Sequence, residues 1–297
     1  MSSFKGLWKR LVPGYFRLVK RQPSLARVHH FCIRIRNRLR YGVDNSFMFN
    51  VIEFELNSDC NRRCRYCPNV SAKRPAGYME DHLFRKLIDE LGEMNYEGRV
   101  SYHFYGEPLL DERLPDFVDY TKRVVPNARA VLFTNGDFLT LESFRNLLRR
   151  GLDSVFITQH DDALPPNLRM IQAQATPEER QRLGLRLIGE VELCNRGGLI
   201  EAMDRPAAPL PLPCTLGLSL LVVTKDGNVV RCCNDYFETE VVGNVRNRSL
   251  REVWADENVN SFREALSRGD RSTSALCRNC NFAQRPEELD RVVPVPE

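Results

Sequence analysis

From residue 50 to residue 193 the chain alternates short runs of β-branched and aromatic residues with longer stretches of helical periodicity. Few folds accommodate that order: it calls for a parallel sheet whose crossover helices pack on it. Strands are predicted at Val51–Leu56, Val100–Phe104, Ala130–Phe133, Ser154–Thr158 and Leu185–Leu193, and helices near Asp81–Leu91, Leu114–Arg123 and Leu141–Arg150. Each strand ends in polar or glycine-rich sequence: Asn57-Ser58-Asp59-Cys60, Tyr105-Gly106-Glu107-Pro108, Thr134-Asn135-Gly136-Asp137, Gln159-His160 and Cys194-Asn195-Arg196-Gly197-Gly198. Reacting groups in such folds collect where strands end, so this rim is the expected site.

After residue 198 the pattern changes. Residues 199–213 contain four prolines and read as a linker. A hairpin follows, Leu218–Thr224 and Asn228–Cys232 around Asp226-Gly227, a strong two-residue turn signal. A helix is predicted over Leu250–Leu266, ahead of Cys277-Arg278-Asn279-Cys280. The expected division is a basic extension over 1–45, a core over 46–213, a smaller domain over 214–285 and a tail over 286–297. A chain of 297 residues can bury the core this needs without disulfides.

The first 43 residues carry eleven Lys and Arg and no Asp or Glu, which leaves the remainder net acidic. Phe4, Leu7, Trp8, Leu11 and Val12 fall on one helical face opposite Lys5, Lys9 and Arg10. Three readings fit: a helix packed on the protein's own body, a helix on a membrane surface, or a contact with an acidic partner. No nucleic-acid-binding motif accompanies the charge, and no nucleic-acid partner is expected. The sequence has neither an apolar run of about 18 residues nor a secretory signal, so a cytoplasmic location is expected. In that compartment ten cysteines read as metal ligands or reactive thiols.

Cys60-x3-Cys64-x2-Cys67 places three thiols in one loop directly after the first strand. Soft thiolates at that density bind iron–sulfur clusters or zinc. Three ligands leave one metal position open, and a zinc site would want a fourth donor close by, for which His82 is the nearest candidate.

With Tyr66 just before its last cysteine, this motif resembles that of the radical S-adenosylmethionine (SAM) superfamily. The resemblance implies an α/β fold, a partial (β/α)6 barrel, and a [4Fe–4S] cluster whose open iron chelates SAM. Tyr105-Gly106-Glu107-Pro108 resembles the family's glycine–glutamate motif, which implies that Gly106 and Glu107 receive the methionine ammonium through carboxylate and backbone. Asn135, in Thr134-Asn135-Gly136, is implied to face SAM; Thr158 and Gln159, beside His160, are implied to touch its ribose or carboxylate. Tyr66 completes the implied cofactor contacts.

Cys214, Cys232, Cys277 and Cys280, with the spacings Gly227-x4-Cys232 and Cys277-x2-Cys280, resemble the shortened SPASM module called a twitch domain, a β-hairpin plus helix. It implies an auxiliary [4Fe–4S] cluster with every iron ligated; structural zinc is the alternative. The family further implies a flavodoxin- or ferredoxin-like electron donor.

Cys67-Pro68-Asn69-Val70-Ser71, His103–Leu110, Thr134–Thr140 and Asn195-Arg196-Gly197-Gly198 resemble the aminoglycoside-tailoring members, dehydrogenases and epimerases. The implied substrate is an amino sugar or aminocyclitol that loses a carbinol hydrogen. Arg196, always protonated, is expected to orient that substrate and stabilise developing oxyanion charge. Seven cysteines are assigned as ligands, leaving Cys32, Cys194 and Cys233. Cys32 reads as a buried or incidental thiol. Epimerisation needs a thiol that returns a hydrogen atom, so the expected reaction is epimerisation with Cys233 as donor and Cys194 in reserve. Oxidation of the same carbinol to a ketone is the alternative, and peptide modification is a third.

Overall fold

The computed structural model describes residues 48–283 apart from 72, 73, 162, 191 and 192, together with a few positions between 32 and 39. Two compact units are distinguished, residues 1–48 and 49–297, and the fold below is that of the second. The apolar face from Phe4 to Val12 and the tail over 286–297 lie outside the described residues. Cys32 is exposed, not buried.

Five parallel strands alternate with helices in the expected order: β1 (Val51–Phe54), β2 (Arg99–Ser101), β3 (Arg129–Thr134), β4 (Ser154–Gln159) and β5 (Leu183–Leu187). Helix α1 (Asp81–Glu93) joins β1 to β2, α2 (Leu114–Val124) joins β2 to β3, and α3 (Leu141–Arg149) joins β3 to β4. Between β4 and β5 the chain forms α4 (Pro166–Gln174) and α5 (Pro177–Arg180), which the sequence pattern did not suggest. Prolines at their first turns mark both starts, and a Thr176/Glu179 capping box adds to the second. The last predicted strand is shifted: β5 starts two residues early and gives way at Ile188 to a 3-10 turn over Ile188–Glu190.

The strands have two different faces because side chains alternate. Ile52, Phe54, Val100, Tyr102, Ala130, Leu132, Val155 and Ile157 are all buried on one face. The apolar stripe of α1 (Leu83, Phe84, Leu87, Ile88, Leu91) packs there; the Phe84 ring lies 5.4 Å from Phe54 and 4.3 Å from Phe117 of α2. The opposite face carries Glu53, Ser101, His103, Phe133, Phe156 and Thr158 at positions matched across the register, and it fronts the cavities described below.

The C-terminal region continues this sheet. Strand β6 (Leu220–Val223) pairs in parallel with β1, and β7 (Asn228–Val230) and β8 (Val241–Asn244) follow antiparallel, giving the order β5-β4-β3-β2-β1-β6-β7-β8. Gly227 supplies the positive φ of the β6–β7 turn. A short helix α6 (Thr215–Ser219) precedes β6. The helix expected over 250–266 is two: α7 (Leu250–Trp254) and α8 (Glu257–Ser267), broken where the Asp256 side chain caps α8 by accepting from Asn258 N. Helix α9 (Ala275–Asn279) carries Cys277.

A buried ion pair ties the two halves of the sheet. Arg74 donates to both carboxylate oxygens of Glu55 (2.6 and 2.9 Å) and also bonds Glu238, while Lys225 N donates to Glu55 at 3.1 Å. Removing one member of such a pair strands the other in a dry site, at a cost of about 3–5 kcal/mol. Arg74→Met is therefore expected to lower unfolding stability by about that amount in urea denaturation of the anaerobically purified protein. A loss under about 1 kcal/mol would show that the pair carries little of the stability.

Candidate functional site

The cysteine loop leaves β1 held against the loop after β2. Asn57 Nδ2 donates to the Glu107 carbonyl (3.0 Å), Asp59 N to Asn57 Oδ1 (3.0 Å), and Glu107 N to the Asp59 carbonyl (2.7 Å). Only glycine fits at 106: a Cβ there would sit 2.1 Å from the Asn57 carbonyl oxygen. Arg62 clamps the loop from the other side, donating from Nε and Nη2 to Asp137 (both 2.6 Å) and from Nη2 to Asp161 (2.8 Å), residues that follow β3 and β4. Asn69 donates to the Tyr105 carbonyl and accepts from the Tyr236 hydroxyl, joining the loop to the C-terminal region.

So held, Cys60, Cys64 and Cys67 line one cavity of about 250 Å³. Burial pushes the Cys60 and Cys67 thiols up, and neighbouring thiols add to it. His82, the fourth donor a zinc site would want, is 74% exposed at the start of α1 and faces Glu80. Among the described residues no three His, Cys, Asp or Glu side chains converge on an ion-sized point. Three cysteine sulfurs around a cavity of this size, with Gly106 also in its lining, suit an iron–sulfur cluster that keeps one iron open.

The expected cofactor contacts are only partly assembled there. Tyr66, Gly106, Glu107, Asn135 and Thr158 line this cavity. Glu107, however, turns its carboxylate into the loop junction: Oε1 accepts from Thr134 Oγ1 (2.6 Å) and Leu109 N (3.1 Å), and Oε2 from Asn135 N (2.9 Å). Its carbonyl is already taken by Asn57. Gln159 stands on the other side of β4, donating to the Asp161 carbonyl, whereas Thr158 and His160 face the cavity. His160 Nδ1 is hydrogen-bonded to the Tyr66 hydroxyl and lies 3.8 Å from Cys64 Sγ.

Three of the second set of thiols sit in one apolar cluster. Cys232 and Cys280 are buried there, with Cys214 packed against them. Burial, chiefly, and the neighbouring Cys214 raise the Cys277 thiol to about 11. Backbone N–H groups point at the sulfurs: Asn234 N at Cys232 Sγ and Phe282 N at Cys280 Sγ, each 3.4 Å. Four buried or half-buried sulfurs, two of them with N–H donors, suit a fully ligated cluster.

A second cavity of about 240 Å³ is lined by Asn234 and Phe282, the residues whose N–H groups point at the Cys232 and Cys280 sulfurs. Glu53, His103, Phe133, Arg196 and Cys233 line both cavities, so the two adjoin. Arg196, with φ +50° in the turn after β5, donates to Asn234 Oδ1 (3.4 Å) and stands 5.8 Å over the Tyr105 ring. Burial raises the Glu53 carboxyl to about 7 in spite of Arg99 and Arg196. Burial and the same two cations hold His103 down at about 3, so its ring is neutral. Cys233 is half-buried on the shared wall; Cys194 is buried and directs its thiol to Asn234 Oδ1 at 3.7 Å.

Sequence reasoning passed over Glu53, Arg99 and Arg186 of this cavity. Their signal was available: charged residues at one parity within strands whose other positions are Ile, Phe, Val and Leu.

Two family profiles match the chain, the radical SAM superfamily over residues 55–184 and an iron–sulfur cluster-binding (SPASM) domain over residues 214–281. The SAM-dependent 2-deoxy-scyllo-inosamine dehydrogenase of Niallia circulans is 36% identical over 249 residues, covering 83% of this chain and 99% of that enzyme. The crystal structure of BtrN in complex with AdoMet and 2-DOIA superposes with a TM-score of 0.74 at 37% identity, covering 79% of this chain and 93% of BtrN. A PqqA peptide cyclase of Streptomyces rochei is 33% identical over 109 residues, 36% of this chain and 29% of the cyclase. By its cysteine loop, its parallel sheet and its similarity along most of its length, the chain belongs to the radical SAM superfamily, in the group that adds a SPASM iron–sulfur domain.

Proposed function

We propose that this radical SAM enzyme oxidises a hydroxyl-bearing carbon of an amino sugar or aminocyclitol to a ketone. The observation that carries the reading is the shared wall of the two cavities, where one buried carboxylate, Glu53, stands with the Arg196 guanidinium. The relative that dehydrogenates 2-deoxy-scyllo-inosamine, similar over nearly all of its length, supports it. When bound, a [4Fe–4S] cluster at Cys60, Cys64 and Cys67 with SAM supplies a radical that takes carbon-bound hydrogen, and a second cluster at Cys214, Cys232, Cys277 and Cys280 supplies a one-electron acceptor.

Oxidising a carbinol to a ketone removes a hydrogen atom, a proton and an electron, and the proton falls to the chain's own residues. Glu53 suits that role because a base acts best with a pKa near the working pH. Arg196 keeps its charge and donates to the reacting oxygen, favouring the alkoxide and fixing the face presented. Phe104, Tyr105 and Phe133 wall the cavity against water. We assign the delivery of the first electron to a flavodoxin- or ferredoxin-like donor, and the thiol-bound clusters to the reducing cytoplasm.

A second reading rests on one residue. Cys233 lines both cavities with a half-buried thiol, so it could return a hydrogen atom to the opposite face and give the inverted alcohol. Cys194 is poorly suited, since its thiol is engaged with Asn234.

Product analysis separates the two. With an aminocyclitol panel in heavy water, the dehydrogenase reading expects ketone in step with 5′-deoxyadenosine and the same product from Cys233→Ala. An inverted alcohol carrying deuterium at the reacting carbon, converted to ketone by Cys233→Ala, would establish epimerisation instead.

The Glu53 carboxyl must be ionised to accept the proton. Ketone formation should therefore rise with pH through about 7. Glu53→Gln should lower the rate about 100-fold or more and abolish that limb. An unchanged pH profile in the variant would remove Glu53 from the proton path.

Ligand assignments are checked by iron content. Reconstituted protein should hold about eight irons, and the triple replacement of Cys60, Cys64 and Cys67 by Ala about four, with no 5′-deoxyadenosine formed. Protein that took up only zinc on reconstitution would end this reading.

A further inference from the structure

One buried amide touches both the substrate-facing guanidinium and the second set of cysteines. Asn234 is 2% exposed and stands two residues beyond Cys232. Its Oδ1 accepts from Arg196 Nη1 (3.4 Å) and from the Cys194 thiol (3.7 Å), and its Nδ2 donates to Cys280 Sγ (3.6 Å). Its backbone N–H points at Cys232 Sγ, 3.4 Å away. A guanidinium can only donate, so the amide oxygen must face Arg196, which turns the amide nitrogen to the sulfur. The orientation of the side chain thus follows from the chemistry of its neighbours.

The turn that carries Arg196 is fastened to the same sulfur. Asn195 grips the residues on either side of Cys280: its Nδ2 donates to the Asn279 carbonyl (2.7 Å) and its N–H to Asn281 Oδ1 (2.8 Å). Gly197, at φ +68°, lies so close to α9 that a Cβ there would sit 2.3 Å from Leu276 Cδ1, and its N–H bonds the Cys280 sulfur. Cys280 therefore collects N–H donors from Gly197, Asn234 and Phe282. Arg196, Asn234 and Phe282 all line the second cavity. An amide in this apolar setting is costly unless both of its ends are satisfied, whereas a leucine of similar size would fill the space with nothing to satisfy.

We propose that Asn234 is a positioning residue with two ends, one holding the Arg196 guanidinium and the other raising the reduction potential of the second cluster through its bond to Cys280. This rests on the assignment of that cluster to Cys214, Cys232, Cys277 and Cys280, and not on which product forms. Reduction adds one electron and breaks no bond. The added negative charge is shared by the ligand sulfurs, where an N–H donor stabilises it, so the loss of a donor lowers the potential.

A mediated redox titration of the anaerobic, reconstituted full-length protein, read by EPR, tests this. The first cluster is the internal control, since its open iron makes its signal alone respond to added SAM. Asn234→Leu, which keeps the bulk and removes the donor, is expected to weaken reduction of the second cluster about tenfold, a fall of about 59 mV for one electron, with the first cluster unmoved. Asn234→Ala should move the same way. An unmoved or raised potential in a variant that holds about eight irons, or an equal shift in both clusters, would overturn the proposal. Loss of the second cluster from both variants would make Asn234 a packing residue and overturn it as well. Wild-type protein with about four irons would withdraw the second cluster and this proposal together. A wild-type product other than ketone would count against the dehydrogenase reading alone.

Discussion

The hydrogen-bonded clasp between Asn57-Ser58-Asp59 and Gly106-Glu107 fixes where everything else at the rim can stand. It crosses from the end of β1 to the end of β2, with the Asn57 side chain both accepting and donating, and it closes only because position 106 has no Cβ. Cys60 follows directly on this clasp, and Arg62 then locks the loop to the ends of β3 and β4. A cluster-binding loop with little regular structure is thus as constrained as a strand. Its geometry is set by side-chain bonds to the ends of β2, β3 and β4, whereas the bonds within the loop are few.

The sheet beneath it serves two environments at once. The helix-covered face is uniformly apolar and close-packed, while the cavity face holds a carboxylate, an imidazole and guanidiniums. Low polarity around these groups is what moves Glu53 up and His103 down, so the same burial that stabilises the fold sets their protonation. The aromatic residues Phe133 and Phe156 mediate between the two regimes, giving cations a surface that is neither water nor hydrocarbon.

Much of this was legible in the sequence, and the gaps have physical causes. The order of strands and helices followed from periodicity, and six of the seven cysteines read as ligands stand in two short segments and a hairpin, with Cys214 ahead of that hairpin in the chain. Strand parity decided the rest: Thr158 and His160 face the cavity and Gln159 does not, a difference of one residue that motif resemblance alone does not resolve. Glu107 illustrates a second limit, since its motif identifies the position but not the three donors that occupy its carboxylate. Arg186 illustrates a third. It is the fourth residue of the short strand β5, and the aromatic faces it rests on, Phe133 and Phe156, are far away in sequence and adjacent only across the register.

The parallel pairing of β1 with β6 bears on how such a chain can be assembled. Val51 meets Leu220, about 170 residues later, so one side of the first strand stays an unpaired edge until about three quarters of the polypeptide exists. Contacts of such long range form slowly and after local ones. A nascent chain that has completed β5 already possesses the first three cysteines, yet the wall carrying Cys233 and Asn234 has not been made. Iron acquired at that stage would sit in a half-built, solvent-open trough. The order of synthesis therefore favours a protein that folds as one sheet first and receives its metal afterwards, and it makes the segment over 55–184 an unpromising unit to produce alone, despite its self-contained motif.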